Sequence, residues 1–311
     1  MDTIARVQLA GSRFLVTGGS GFIGSHVVDA LVAADAGEVV VLDKTIQEQN
    51  LADATANGRV RAVEGDVTRQ ADVAAATVGV DGVFHMAVLP LGGCVEDPRL
   101  CHEINVGGTL TVLEAARDAG VRKVVYSSAS SVYGDTDETM DESHPLHART
   151  MYGASKIAGE YYVRAFNDAY GLGYVTLRYM NVYGPRQGGG LIVSVTKRLL
   201  AGERPTIAGD GRQSFDFVHV ADVADANVHA MMSDVSDEAF NVGSGTEASV
   251  REIAEKLIEL TGADVEAEYD HGQRVLMRRR VGSNARAKEL LGWQARRGLD
   301  EGLREVVESL R

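Results

Sequence analysis

Thr17-Gly18-Gly19-Ser20-Gly21-Phe22-Ile23-Gly24 is the stretch on which the reading of this chain turns. The apolar run Phe14-Leu15-Val16 precedes it and has the character of a buried strand. Ile23, Val27, Val28, Leu31 and Val32 follow it at helical spacing. The glycines recur at 18, 21 and 24, and Gly19, Gly21 and Gly24 also satisfy the looser Gly-x-Gly-x-x-Gly pattern. Glycine permits a tight strand-to-helix turn, lets backbone N–H groups approach a pyrophosphate, and allows the helix to pack closely on the sheet. The N-terminus of the helix offers oriented donors to the anion. Gly18, Gly21, Phe22 and Ile23 are therefore expected at a dinucleotide's phosphates.

The run Val39-Val40-Val41-Leu42 reads as a second buried strand ending in Asp43, 19 residues past Gly24. A carboxylate there accepts hydrogen bonds from the adenosine ribose and repels a 2′-phosphate, so NAD is favoured over NADP. Lys44 beside it pulls the other way. Strands over 13–17, 38–43, 60–64, 82–86, 122–128 and 174–178 alternate with helices over 22–34, 70–77, 98–119 and 152–170. This alternation predicts an α/β fold, a Rossmann-type doubly wound parallel sheet. After Arg178, Gly184-Pro185 and Gly188-Gly189-Gly190 break the pattern. Residues 1–178 are expected to form the NAD-binding domain. Residues 179–311 are expected to form mainly a smaller C-terminal α/β lobe for substrate, with some elements returning to the first sheet.

The 311 residues suffice for a large core. Apolar residues make up 45% and charged residues 24%, the ordinary globular range. No run of 18 apolar residues is present, and the N-terminal residues lack a basic segment followed by an apolar one. A cytoplasmic protein with no membrane partner is expected. Cys94 and Cys101 have no metal-ligand spacing around them, so reduced thiols and no metal are expected. The net charge of −13 argues against nucleic acid as a partner, since phosphate binding needs a basic face. Arg274 and Arg278-Arg279-Arg280 form the one local gathering of cations.

Tyr152-Gly153-Ala154-Ser155-Lys156 opens an apparent helix, placing the tyrosine and lysine on one face. A free phenol is a poor base at neutral pH. An ammonium one turn away favours the phenolate, as does a positively charged nicotinamide ring. Tyr152 and Lys156 are the candidate catalytic pair, and the lysine can also hold the nicotinamide ribose.

With these features in place, the chain resembles the extended short-chain dehydrogenase/reductases of the NAD-dependent epimerase/dehydratase family, and within it the UDP-sugar 4-epimerases. Supporting segments are Gly65-Asp66-Val67, His85-Met86-Ala87, Asn105-Val106-Gly107-Gly108-Thr109, Ser131-Val132-Tyr133-Gly134 and Leu177 through Arg186. Gly209-Asp210-Gly211, Asp216 through Val220 and Phe240-Asn241-Val242-Gly243 complete the likeness. The resemblance implies that Asp66 and Val67 flank the adenine, and that Met86, Ala87, Val88 and Met180 lie along the cofactor. It implies that Asn105 orients the strand behind the nicotinamide and that Asn181 touches the sugar nucleotide. Val193, Phe215, Arg274 and Arg278 are expected on the substrate side, with the arginines near the diphosphate. Arg186 is expected to face the sugar, where it would suit a C6 carboxylate. Relatives pair the helices near 98–119 and 152–170 across a two-fold axis, so a homodimer is expected.

Two departures stand out. Relatives place a hydroxyl residue at position 129, bonded to the reacting sugar oxygen, and this chain has Ala129. Ser128 or Ser130 is the candidate replacement, with Ser128 preferred. Relatives also carry arginine before Asp216, where this chain has Phe215. Members of the family that eliminate water or carbon dioxide carry an acid where this chain has Ser131. The expected reaction is therefore C4 epimerisation of a UDP-sugar through a 4-keto intermediate. Dehydratase or UDP-glucuronate decarboxylase activity is the alternative, and a non-enzymatic dinucleotide sensor is disfavoured by the retained Tyr152 and Lys156. The sugar, whether neutral hexose, N-acetylhexosamine or uronic acid, is left open.

Overall fold

A computed structural model describes residues 7–273, 275 and 277–311. The strands of the first half are β1 (Arg13–Thr17), β2 (Glu38–Asp43), β3 (Val60–Glu64), β4 (Gly82–His85), β5 (Lys123–Ala129) and β6 (Gly173–Tyr179). Its helices are α1 (Phe22–Ala33), α2 (Glu48–Ala56), α3 (Gln70–Thr77), α4 (Leu91–Glu96), α5 (Pro98–His102), α6 (Thr109–Asp118) and α7 (Met151–Tyr170). The second half adds β7 (Asn181–Tyr183), α8 (Leu191–Leu200), β8 (Thr206–Ala208), β9 (Ser214–His219), α9 (Val220–Met232) and β10 (Glu238–Val242). It ends with β11 (Glu247–Ser249), α10 (Val250–Thr261), β12 (Glu268–Asp270), β13 (Arg279–Arg280), α11 (Ala285–Leu291) and α12 (Leu299–Leu310).

Seven strands form one parallel sheet in the order β10-β6-β5-β4-β1-β2-β3. The expected doubly wound sheet is thus present. Phe14, Leu15, Val16, Val39, Val40, Val41 and Leu42 are all buried, because helices cover both faces of such a sheet. The strand order reverses between β1 and β4, which opens a crevice at their carboxyl ends. In the second half, β10 extends this sheet beside β6, and α9 packs on α1. The remaining strands of that half are short. β9 pairs with β7, β11 and β13, and β12 pairs with β8. A separate apolar core gathers Ile192, Leu199, Phe217, Ile253, Leu257, Leu303 and Val307.

Two local features depart from the sequence-based expectation, and a third lies outside it. The continuous helix over 98–119 is instead α5, a π-helical turn at Glu103–Gly108, and α6. Such turns cluster at functional sites, and Asn105 sits in this one. Cys94 and Cys101 are not free thiols: the chain reversal at Pro98 folds α4 against α5 and joins them in a disulfide. Lys123 is buried although it opens β5; its ammonium donates to the carbonyls of Ala230, Ser233 and Val235 at the end of α9. Helix C-terminal carbonyls attract a cation, which compensates the burial of this one.

Candidate active site

The glycine turn is built as its sequence demands. Gly18 has φ +67°, and a Cβ there would sit 2.7 Å from the Ala87 nitrogen. At Gly24 a Cβ would lie 2.2 Å from the Gly18 carbonyl oxygen, so any larger residue would push α1 off the turn. Gly21 precedes α1 with no side-chain cap, which leaves the first N–H groups of the helix directed at the crevice. A cavity of about 430 Å³ opens there, lined by Gly18, Gly21, Phe22, Ile23, Met86, Ala87, Val88, Ser128, Tyr152 and Met180 among others.

Asp43 ends β2 at the rim. Its carboxylate accepts from the Ser20 backbone N–H and hydroxyl at 3.2 and 2.7 Å, which fixes its orientation. Lys44 turns away to pair with Asp66 at 3.3 Å. Asp66 also accepts from the backbone and hydroxyl of Thr68, a local turn rather than a helix cap, and Val67 is buried beside it. Asn105 clamps the segment after β4. It accepts from the Leu89 N–H at 2.7 Å and donates to the Leu89 carbonyl and to Ser155 on α7.

Thr150 caps α7 by accepting from the Gly153 N–H, which sets the tyrosine and lysine at the mouth of the crevice. Lys156 donates to the Ser127 carbonyl at 2.7 Å, and its ammonium lies 5.8 Å from the Tyr152 ring centre. Burial pulls the lysine down to about 7, opposed by the carboxylate of Glu160 one turn on. Burial pushes the Tyr152 phenol up to about 12. The charge that opposes this shift belongs to Arg280, which the sequence reading had not placed at the site.

Tyr152 also lines a second cavity of about 420 Å³, together with Ala129, Ser130, Ser131, Asn181, Gln187, Ile192, Phe217 and Arg280. The structure does not bring every expected substrate residue here. Ser128 lines the first cavity but donates its hydroxyl to Glu160 at 2.5 Å, so it is not free to meet a sugar oxygen. The chain enters a 3-10 turn at Ser130–Val132, and this turn brings Ser130 to the cavity. Arg186 pairs with Asp29 of α1 at 2.7 Å and does not line the cavity; its neighbour Gln187 does. Val193 is a core residue of the second half, and the cavity wall is Leu191 and Ile192 instead. Phe215 packs edge-on against Phe217 and is likewise absent from the wall. Arg278 is exposed, and Arg274 lies outside the described residues.

Sequence reasoning missed two residues. Arg280 was read only as part of a basic run, yet β13 pairs in parallel with β9 and lays it opposite Phe215, facing Tyr152. Its alternation with Arg279, which pairs with Glu247 outside, was the available signal. His85 was read only as part of a family segment. It is buried between the hydroxyls of Thr17 at 2.7 Å and Thr109 at 2.9 Å, and burial drives its pKa down to about 3.

A parallel sheet with a glycine turn at its switch point and a tyrosine–lysine pair on the adjoining helix defines the class of dinucleotide-dependent dehydrogenase folds. Within that class the chain belongs to the NAD dependent epimerase/dehydratase family, which matches it over residues 14–243. NAD is accordingly its cofactor, and the crevice fits one: bare helix N–H groups face it, and no side chain fills the glycine turn. The chain is 38% identical over 310 residues to the UDP-glucose 4-epimerase of Mycolicibacterium smegmatis, covering 96% of this chain and 98% of that one. Among solved structures it resembles the UDP-glucose 4-epimerase of Thermotoga maritima with UDP-glucose (TM-score 0.89, 35% identity, covering 96% and 98%). It also resembles the UDP-glucuronic acid 4-epimerase of Bacillus cereus in complex with UDP-glucuronic acid and NAD (TM-score 0.90, 27% identity, covering 96% and 98%).

Proposed function

We propose that this chain epimerises a UDP-sugar at C4 through a 4-keto intermediate. The observation that carries the reading is the make-up of the two cavities that meet at Tyr152. Their described lining residues include hydroxyls, amides and one guanidinium, but no aspartate or glutamate. Elimination of water needs a carboxylate or similar base at a neighbouring carbon, whereas epimerisation needs proton transfer at one oxygen alone. The relatives named as UDP-glucose 4-epimerases support the same choice.

In this mechanism NAD, when bound, supplies the hydride-accepting ring and a positive charge beside the phenol. Its pyrophosphate would lie on the α1 N-terminus at Gly21, Phe22 and Ile23, and its adenosine ribose on Asp43. Asp66 and Val67 would border the adenine, while Met86, Ala87, Val88 and Met180 would line the dinucleotide. Tyr152 takes the proton of the 4-hydroxyl as C4 is oxidised and returns it when C4 is reduced from the other face. Lys156, anchored on the Ser127 carbonyl, would hold the nicotinamide ribose and place its ammonium near the phenol. Ser130 donates to the reacting oxygen in place of the hydroxyl missing at 129. Asn181 and Gln187 hold the sugar nucleotide. Asn105, through Leu89, fixes the wall behind the nicotinamide.

Incubation with a panel of UDP-sugars and separation of the products tests the reading. The expected product is the C4 epimer, of unchanged mass. Loss of water or carbon dioxide as the main outcome would place the chain in the dehydratase or decarboxylase branch. Tyr152→Phe should lower turnover by at least about a hundredfold, the scale of a general acid–base group, with NAD still bound. Near-normal turnover in that variant would sink the Tyr152 assignment.

A further inference from the structure

Arg280 presents a problem that the site so far described leaves open. Its Nε is buried without a hydrogen-bond partner, and its side chain forms no ion pair with the described residues. Asp135, exposed, attracts it only from beyond salt-bridge distance. Its neighbours differ: Arg279 is paired with Glu247, and Arg278 is exposed to solvent. A desolvated guanidinium without an anion is costly, so such groups ordinarily pair with a carboxylate or phosphate. Here the chain provides neither, and Arg280 is the only cation among the residues lining the cavity.

The position of the guanidinium narrows the missing partner. It lines the same cavity as Tyr152, and its charge bears on the phenol. Tyr152 handles the oxygen on C4. In a pyranose, C4 lies across the ring from C1, which carries the diphosphate. C5 is next to C4, and in a hexuronic acid C5 carries the carboxylate. An anion facing Arg280 while O4 faces Tyr152 is therefore the carboxylate of the sugar rather than the diphosphate. The planar fork of arginine suits a carboxylate, which it can engage with two parallel hydrogen bonds. Arg186, the residue the sequence suggested for such a group, is occupied by Asp29.

We propose that Arg280 is the residue that selects a UDP-hexuronic acid by binding its C6 carboxylate beside Tyr152. This inference rests on the UDP-sugar 4-epimerase reading and narrows it to acidic sugars.

The test compares kcat/KM for UDP-glucuronate and UDP-glucose in the wild type, Arg280→Leu and Arg280→Lys. The wild type should prefer UDP-glucuronate. Arg280→Leu should lower the ratio of the two kcat/KM values about a hundredfold, mainly through KM for the acid, as expected for removing one partner of a desolvated charge pair. Arg280→Lys should restore part of that ratio, because charge returns without the fork. A wild-type preference for the neutral sugar, or an unchanged ratio in Arg280→Leu, overturns the proposal. An equal fall in kcat on both sugars with an alkaline shift of the pH profile also overturns it and assigns Arg280 to the phenolate of Tyr152. Weakened binding of UDP alone in Arg280→Leu would assign it to the diphosphate. Should no UDP-sugar be epimerised, the parent reading fails, and calorimetry still decides this one. Tighter binding of UDP-glucuronate than UDP-glucose, lost in Arg280→Leu, supports it; equal binding refutes it.

Discussion

Glu160→Ala would open a charged strut one turn from Lys156. Glu160 lies on α7, one turn beyond Lys156, and accepts from Ser128 at 2.5 Å and from Arg178 at 2.7 Å. Arg178, on β6, also donates to the Tyr133 hydroxyl and the Glu142 carbonyl. Both members of the pair are over 90% buried at the side chain. Attraction to Glu160 outweighs burial and holds the Arg178 pKa above its usual value. Removing the carboxylate leaves the guanidinium buried with two neutral acceptors and frees the Ser128 hydroxyl. Breaking such a pair costs about 3–5 kcal/mol. At about 2 cal/mol/K of unfolding entropy per residue, that cost lowers the melting midpoint of a chain this long by roughly 5–8 °C. The double variant Glu160→Leu with Arg178→Met removes both charges and should recover most of the loss, because an apolar pair avoids the desolvation penalty. Urea midpoints of the two single variants and the double variant, set in a double-mutant cycle, read the coupling directly. A Glu160→Ala variant within about 1 kcal/mol of wild type, or a double variant worse than either single, would refute the reasoning.

Three further outcomes follow from the structure. Ser130→Ala should lower turnover by one to two orders of magnitude through loss of a donor to the reacting oxygen. Ser128→Ala should mainly cost stability, about 1.5–3 kcal/mol for a hydrogen bond to a carboxylate; the reverse pattern in kcat would restore Ser128 as the catalytic hydroxyl. His85 is neutral in the fold down to about pH 3 but protonates in the unfolded chain near 6.5. The unfolded state therefore binds the extra proton, and stability from this group falls as pH drops through the window from 6.5 to 3, by a few kcal/mol in all. His85→Gln should flatten that part of the stability–pH curve, and an equally steep curve would exclude His85 as its source. Finally, Tyr161, Met151 and Leu100 are exposed on or near α7 and α5, which suits a homodimer. Tyr161→Glu should shift sizing or ultracentrifugation toward the monomer, and a wild type already monomeric at micromolar concentration would contradict the dimer.

The first half of the fold was legible because each element carries its own period. The strands β1 and β2 centre on unbroken apolar runs, and the glycine turn is demanded by close approaches at Gly18 and Gly24. Helix α2 was missed because only Leu51 and Ala54 are buried on it, too little to mark a face. Strands β7, β11, β12 and β13 were missed because two or three residues carry no period at all. The site was legible where chemistry is local, as in Tyr152 and Lys156 one turn apart. It was not legible where a side chain's direction depends on a distant partner. Ser128 and Arg186 are taken up by Glu160 and Asp29, both far away in sequence, and nothing near either residue announces it. Arg280 reverses the case: a surface-looking arginine becomes part of the cavity only because β13 docks on β9.

The pairing of Arg186 with Asp29 has a consequence for how the molecule senses its ligands. His26, three residues before Asp29 on α1, also bonds the Pro185 carbonyl. The loop that delivers Gln187 to one cavity is thus riveted to the helix whose tip closes the other. A sugar nucleotide drawing on Gln187 would tighten the amides at the start of α1, and their hydrogen-exchange rates would act as a gauge of occupancy at a site they do not touch.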